Sequence, residues 1–191
     1  SSLRFVRAAA LLPGVRVVLL SQDGVDKVPP EVRQLLTGFR QLQDGMDPEE
    51  LTAAVRQSAR QLGSVDALLG VLEPLQEPLG VVRERLRIPG MDAATAANFR
   101  DKARMKEVLT AHGLPCARHR LCEAVVPALE FGRECGYPLV LKPPAGAGAK
   151  TTLRIAGEDE LKAALQQTPP APGRPVLLEE FVQGREFSFD S

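Results

Sequence analysis

The stretch YPLVLKPPAGAGAKTTLRI, residues 137–155, decides how the second half of the chain folds. Residues 138–142 form a short apolar run, which predicts a buried strand. The run 151–155, rich in β-branched residues, predicts a second strand. The loop between them, residues 143–150, consists almost wholly of Gly, Ala and Pro. Small residues let backbone N–H groups approach a phosphate closely, and flanking lysines add positive charge. The stretch therefore predicts an antiparallel hairpin with a candidate phosphate-binding loop.

Two common phosphate-binding motifs do not fit this loop. A Walker A loop requires glycine where Pro144 and Ala149 stand, and it leads into a helix, not into a β-branched segment. The dinucleotide motif G-x-G-x-x-G requires a third glycine where Thr151 stands. Two interpretations stay open: a flap that folds over phosphates with Lys142 aimed at them, and an ordinary hairpin tip with a surface lysine.

The segments around the hairpin are short strands and helices without regular βαβ repetition, which predicts an α+β region. Strands are expected at 117–122, 176–180 and 186–189, and helices at 126–135 and 158–166. The last apolar strand ends in Glu179 and Glu180. These two carboxylates are either ordinary edge charges or part of a strand end that offers groups to a base edge.

A helix that begins after Asp101 carries two lysines of interest. Asp101 predicts its N-cap and Gly113 its end. Lys102 and Lys106 lie one turn apart on one face, although lysines on a helix surface are usually only solvated. The apolar stripe expected to form the inner face consists of Met105, Val108, Leu109 and His112. His119, between two arginines, is expected to be exposed.

Residues 1–88 alternate between strand-like and helical segments, which predicts a parallel α/β sheet. Strands are expected at 15–20 and 65–72, and helices at 3–12, 32–36, 48–62 and 74–87. Asp47 is expected to cap the third helix, with Glu50 completing a capping box and Gly63 ending the helix. A parallel unit normally opens with a strand, so we expect a first strand to be missing upstream.

Composition narrows the class of protein. The 191 residues include 24 basic and 24 acidic ones, and zero net charge argues against a nucleic-acid-binding surface. No apolar run approaches the roughly 20 residues of a membrane helix. The three cysteines match no common zinc pattern. We therefore expect a reduced, cytoplasmic protein with two domains, residues 1–88 and 89–191, and no nucleic-acid or membrane partner.

Three blocks in this order resemble the ATP-grasp family. They are residues 101–121 (DKARMKEVLTAHGLPCARHRL), the stretch 137–155, and residues 176–190 (VLLEEFVQGREFSFD). The resemblance covers roughly residues 60–191, and the combination is far more specific than any one block. It implies a pre-ATP-grasp α/β domain with a parallel sheet, followed by an α+β ATP-grasp small subdomain. The carboxy-terminal ATP-grasp subdomain is expected to be largely absent.

The resemblance implies which residues meet the phosphates of ATP. Lys102 and Lys142 would contact the nucleotide phosphates. The loop with Gly146, Gly148 and Lys150 would cover them. These roles come from the family and not from the spacing alone.

The resemblance also implies contacts to the adenosine part. Glu179 would accept a hydrogen bond from the adenine amino group, and the backbones of Glu180 and Val182 would read the adenine edge. Glu186 would bind the ribose hydroxyls. These contacts hold the nucleotide and do not by themselves carry out a reaction.

A typical ATP-grasp enzyme uses the γ-phosphate of ATP to activate a carboxylate as an acylphosphate, which an amine then attacks, while Mg²⁺ neutralises charge. The implied partners are a small-molecule carboxylate and an amine, and a homo-oligomer is compatible with the sequence. The family's magnesium carboxylates follow the hinge strand, so we expect them beyond Ser191, and we expect nucleotide binding without turnover. Two alternatives stay open: a non-catalytic regulatory module and a biotin carboxylase-type subunit.

Overall fold

The computed structural model describes residues 3–145, 152–185 and 187. The chain divides into two compact units, Ser1–Ala97 and Asn98–Ser191. The boundary that the sequence predicts, between residues 88 and 89, stays a prediction. Among the described helices, none has both the length and the apolar character that crossing a bilayer requires.

The first unit contains a parallel pair of strands, as the alternation of segments predicts. β1 (Val18–Ser21) and β2 (Gly38–Gln41) pair in parallel, with Val18 opposite Gly38. The helices are α1 (Leu3–Ala10), α2 (Pro30–Arg33), α3 (Pro48–Leu62), α4 (Gln76–Leu86) and the start of α5 (Ala93–Arg100). The apolar core of this unit consists of Leu42, Leu51, Ala54, Val55, Leu68, Leu79, Val82 and Ile88.

Helix α3 begins and ends where the sequence predicts. The Asp47 carboxylate accepts hydrogen bonds from two N–H groups of the first turn, at 2.9 and 3.4 Å. Gly63 follows the helix with φ of +95°, a conformation that favours glycine. The predicted capping box is wrong in one respect. The Glu50 carboxylate accepts from the N–H groups of Gln43 and Asp44, so it closes the loop after β2 instead.

The strand predicted at residues 65–72 is wrong. This described segment contains no strand, and its Leu68 carbonyl accepts hydrogen bonds from the Arg83 side chain on α4, from Nε at 3.0 Å and Nη2 at 2.6 Å. Arg83 Nη1 donates to the Met91 carbonyl at 3.1 Å. The buried Arg83 guanidinium therefore supplies the hydrogen-bond donors that a neighbouring strand would otherwise supply to this segment. Its burial lowers the pKa of Arg83. The sequence did not predict β2, because its residues, GFRQ, lack a regular apolar pattern.

The second unit contains one antiparallel sheet. Its strands lie in the order β3 (His119–Cys122), β6 (Val176–Glu180), β4 (Leu139–Lys142) and β5 (Leu153–Ile155), and every neighbouring pair is antiparallel. The pairing of β4 with β5 confirms the predicted hairpin strands. The helices are α6 (Lys102–Ala111), α7 (Val125–Cys135) and α8 (Glu158–Gln167).

One face of this sheet forms the core of the second unit. Because side chains alternate along a strand, Leu139 and Leu141 of β4 and Val176 and Leu178 of β6 point the same way. They pack with residues of α7 and α8 in a cluster that consists of Cys122, Ala128, Phe131, Leu139, Leu141, Ile155, Leu161, Ala164, Leu165, Val176 and Leu178. The residues between them on each strand point to the opposite face.

A charged cluster joins α7 to α8 at the surface. Glu158 Oε1 lies 3.0 Å from Nη2 of Arg133 and 3.0 Å from Nζ of Lys162. The hydrogen bonds from Arg133 and Lys162 hold the pKa of Glu158 at about 2, below its ordinary value of 4.5. A carboxylate with a depressed pKa stabilises the folded state above its ordinary pKa and loses this contribution as pH falls.

We expect Glu158→Gln to be less stable than the wild type near neutral pH. The difference should shrink as pH falls from 4.5 and vanish near 2, because Glu158 itself becomes protonated over that interval. Urea unfolding of both proteins at a series of pH values measures it. A difference that stays constant over the whole interval would show that the charge of Glu158 contributes nothing.

Candidate functional site

The candidate site lies on the sheet surface opposite the core of the second unit, which we call the site face. It carries Val140 and Lys142 of β4, and Leu177 and Glu179 of β6. In the antiparallel register Lys142 lies opposite Leu177, and Val140 lies opposite Glu179. The two charged residues are therefore diagonal neighbours, a distance that long side chains span. Leu177 is fully buried, so the site face is covered at this point of β6.

Glu179 lies between two lysines. Its Oε2 accepts a hydrogen bond from Lys142 Nζ at 2.7 Å, and its Oε1 lies 3.5 Å from Lys106 Nζ. The side chains of Glu179, Lys106 and Lys142 are only 9, 11 and 18% exposed. A buried carboxylate requires such partners, because an unpaired charge away from water is strongly unfavourable. Two lysines and one glutamate leave the cluster with one net positive charge.

Lys106 is the member of this cluster that the sequence singled out without assigning it a role. The buried side chains of α6 are Ala103 and Lys106. The predicted inner stripe is wrong, since its members are half-buried or exposed: Met105, Val108, Leu109 and His112. The stripe fails because the surface that α6 meets includes the Glu179 carboxylate. The available signal was the position of Lys106 one turn after Lys102.

Lys102 is the first residue of α6. Asp101 caps the helix as predicted, accepting from two N–H groups of the first turn at 2.8 and 3.1 Å. The Lys102 N–H donates to the Pro144 carbonyl at 3.0 Å. Because Pro144 follows Lys142 by two residues, this bond places the start of α6 beside the end of β4. The structure thus brings the Lys102 backbone to the loop that follows Lys142.

The Glu180 carboxylate points away from the site face and binds Arg118. Its Oε2 accepts from Arg118 Nε at 2.8 Å, and its Oε1 accepts from the Arg118 N–H at 3.0 Å. These hydrogen bonds lower the pKa of Glu180 and raise that of Arg118. The Glu180 N–H donates to the Arg118 carbonyl at 2.9 Å. This N–H is therefore occupied by a hydrogen bond between neighbouring chain segments.

Beyond Glu180 the chain leaves the sheet. The Phe181 N–H still donates to the Pro138 carbonyl at 3.2 Å, and the Arg154 guanidinium lies 4.7 Å from the Phe181 ring centroid. Arg154 is opposite Val140 in the register of β5 and β4, which places it on the site face as a further cation that sequence reasoning missed. Val182 is 67% exposed.

His119 lies on the site face as well. In the register of β3 and β6 it is directly opposite Glu179, and its Nδ1 is 3.2 Å from the Ala117 carbonyl oxygen. The expectation that His119 is exposed is wrong, since it is half-buried. The remaining predicted site residues lie outside the described residues: Gly146, Gly148, Lys150 and Glu186.

The arrangement is suited to binding an anion. Lys106 and Lys142 approach a single carboxylate, Glu179, and a local surplus of positive charge attracts anionic ligands. Hydrogen bonds from ammonium groups to phosphate oxygens are among the strong ones. Within the described residues, no three His, Cys, Asp or Glu side chains come together in a way that could hold a metal ion.

Curated relatives of the chain are ligases, although no protein-family model matches it. A phosphoribosylamine–glycine ligase of Pasteurella multocida is 34% identical over 109 residues, which are 54% of this chain and 25% of that protein. A D-alanine–D-alanine ligase of Pseudomonas putida is 27% identical over 183 residues, 95% of this chain and 52% of that protein. The chain therefore spans between a quarter and about half the length of these relatives.

Solved structures share the fold. The biotin carboxylase domain of the 2-oxoglutarate carboxylase of Hydrogenobacter thermophilus superimposes with a TM-score of 0.70 at 23% identity, over 94% of this chain and 42% of that one. That domain was solved with ADP, its magnesium salt and bicarbonate. The resemblance predicted from the three sequence blocks is confirmed, since the relatives of this chain are ATP-grasp enzymes.

Proposed function

We propose that the chain binds ATP on the site face of its second unit, as the amino-terminal part of an ATP-dependent ligase. The observation that carries this proposal is the cluster in which Glu179 lies between Lys106 and Lys142 with one net positive charge and little exposure to solvent. A positive charge beside the start of a small-residue loop suits the phosphates of a nucleotide. The ligase activity of the named relatives supports the general class of reaction.

The phosphate end of ATP is assigned to the residues around the end of β4. Lys142 donates to a phosphate oxygen. Lys102 lies within reach because its N–H donates to the carbonyl of Pro144, two residues after Lys142. The loop residues Gly146, Gly148 and Lys150 cover the phosphates. In this proposal Lys142 turns its ammonium from Glu179 to the nucleotide when ATP binds.

The adenosine end of ATP is assigned to the end of β6. Glu179 accepts from the adenine amino group, and Glu180 and Val182 present backbone groups to the adenine edge. The occupied Glu180 N–H limits that residue to its carbonyl oxygen. Glu186 binds the ribose hydroxyls.

The proposed reaction joins a carboxylate to an amine. The γ-phosphoryl group of ATP passes to a carboxylate oxygen, which forms an acylphosphate and ADP. The amine nitrogen then attacks the acyl carbon and phosphate leaves, with an amide as product. The residues of this chain contribute binding and positioning, which supply most of the rate in phosphoryl transfer. Both substrates are small molecules in this proposal, and the site residues identify neither of them. We also propose that the protein is cytoplasmic and forms a homo-oligomer.

Mg²⁺ would accompany ATP in such a reaction and neutralise charge on the phosphates. The described residues do not provide a cluster of carboxylates for it. No residue of the described chain is therefore assigned to the ion.

Removal of the Lys142 charge is the test of this proposal. We expect Lys142→Met to bind Mg·ATP about tenfold to a hundredfold more weakly than the wild type, since a hydrogen bond to a charged group contributes roughly 1.5–3 kcal/mol. Isothermal titration calorimetry with Mg·ATP measures both affinities. Thermal unfolding followed by circular dichroism separates a loss of binding from a loss of fold.

A matched control removes a lysine far from the site in sequence. Lys27, in the first unit, is exposed, and Lys27→Met should bind Mg·ATP as the wild type does. Equal affinity of wild type and Lys142→Met would remove the phosphate contact on which the proposal depends. A wild-type chain that binds no Mg·ATP would overturn the proposal altogether.

A further inference from the structure

Lys106 is buried without a role in the proposed nucleotide contacts. Only 9% of the residue is exposed, and lysine is seldom so buried unless it is paired. Its ammonium faces Glu179 Oε1 at 3.5 Å, beyond the usual range of about 2.7–3.2 Å for an N–H···O hydrogen bond. No described residue donates a hydrogen bond to this buried oxygen. Glu179 therefore keeps one unused acceptor, and that acceptor faces a second lysine.

The two oxygens of Glu179 face two different cations. Oε2 accepts from Lys142 at 2.7 Å, while Oε1 faces Lys106. When Lys142 turns its ammonium to a phosphate, Oε2 loses its donor. A side-chain movement of a few tenths of an ångström brings Lys106 into hydrogen-bond range of Oε1 and restores a charge-assisted bond. Without the Lys106 charge, the same release leaves the buried Glu179 carboxylate with only the neutral adenine amino group as donor and with no counter-ion, which is strongly unfavourable.

We propose that Lys106 is a positioning residue that becomes the counter-ion of Glu179 when Lys142 turns to a phosphate. The inference rests on the proposed ATP site and adds a residue that acts on it through Glu179, without touching the nucleotide. The affinity for ATP then depends on the charge of Lys106. The affinity for adenosine does not, because adenosine has no phosphate and leaves Lys142 on Glu179.

The experiment compares Mg·ATP with adenosine on the wild-type chain and on Lys106→Met. We expect Lys106→Met to bind Mg·ATP about tenfold more weakly, in calorimetric titration. Adenosine, measured by competition with Mg·ATP, should bind within about twofold of its wild-type affinity. Arg104→Met is the matched control, since it removes a positive charge from an exposed position of the same helix and should change neither affinity.

Each outcome decides for or against the inference. Unchanged Mg·ATP affinity in Lys106→Met would overturn it while leaving the proposed ATP site intact. Equal losses for Mg·ATP and adenosine would indicate a general structural role and would also overturn it. A wild-type chain that does not bind Mg·ATP would overturn the proposed site and this inference together. Lys106→Gln is a second neutral variant with the same expected loss, and it replaces the Met variant if that protein does not fold.

Discussion

Replacement of Glu179 by glutamine is expected to lower the free energy of unfolding by about 3–5 kcal/mol, the usual range for removing one partner of a buried ion pair. The change leaves the ammonium groups of Lys106 and Lys142 without the carboxylate between them, at positions where their side chains are only 11 and 18% exposed. Glutamine has nearly the shape of glutamate, so the loss reflects charge and not packing. Urea unfolding near neutral pH measures it.

The control for this variant is Glu107→Gln, at an exposed position of α6, which should stay within about 0.5 kcal/mol of the wild type. Added inorganic phosphate should stabilise Glu179→Gln more than the wild type, because a bound anion replaces the missing negative charge. Equal stability of the two glutamine variants would mean that the lysines do not need Glu179. If phosphate stabilised neither protein, the argument that this cluster attracts anions would be removed.

Arg83→Met is expected to lower the free energy of unfolding by a similar amount, about 3–5 kcal/mol. The guanidinium donates three hydrogen bonds to the backbone carbonyls of Leu68 and Met91. Methionine keeps most of the apolar contacts of the arginine stem, but it leaves the buried Leu68 carbonyl and the part-buried Met91 carbonyl without this donor. An unsatisfied buried group costs about 1–3 kcal/mol. Urea unfolding measures the loss of stability.

A second measurement locates the effect of Arg83→Met. Amide hydrogen exchange should accelerate over residues 65–72, because the segment that Arg83 holds loses its hydrogen-bond donor. Arg56→Met, at an exposed position of α3, is the control and should change the stability by no more than about 0.5 kcal/mol. If Arg83→Met were as stable as this control, water or another side chain would have to satisfy the two carbonyls.

Features with local causes were predictable. The strands of the 137–155 hairpin follow from two short apolar or β-branched runs, and the antiparallel pairing of β4 with β5 agrees. Helices α3 and α6 start at Asp47 and Asp101 because each carboxylate accepts N–H groups of its own first turn. Such bonds join residues two or three positions apart, so the sequence shows both partners together.

The segment at 65–72 shows where local reasoning fails. Its Val- and Leu-rich composition is that of a buried strand, yet its Leu68 carbonyl bonds to Arg83, which lies 15 residues further along. An apolar pattern predicts burial well, and Leu68 is indeed buried. The pattern does not reveal which group supplies the hydrogen-bond donors, and that choice distinguishes a strand from an irregular buried segment.

The candidate site likewise combines residues that the sequence predicted with residues that only the structure placed there. Lys142 and Glu179 were predicted from sequence blocks that resemble the ATP-grasp family, and they meet although 37 residues separate them. The sequence assigned no role to Lys106, and it did not place His119 or Arg154 at the site, because these positions follow from the docking of α6 and from the strand order β3-β6-β4-β5.

Caps and short motifs were sufficient to predict α3, α6, the hairpin strands and the resemblance to ATP-grasp enzymes, because each cap and each motif depends on residues close together along the backbone. The pairing of Glu179 with the two lysines follows only from the tertiary structure. Strand register puts Glu179 beside Lys142, and the packing of α6 brings in Lys106. The balance of the buried Lys106 and the half-buried Lys142 against one carboxylate arises only when these separate segments meet. The strength of a charge interaction depends on distance and burial and not on position in the sequence.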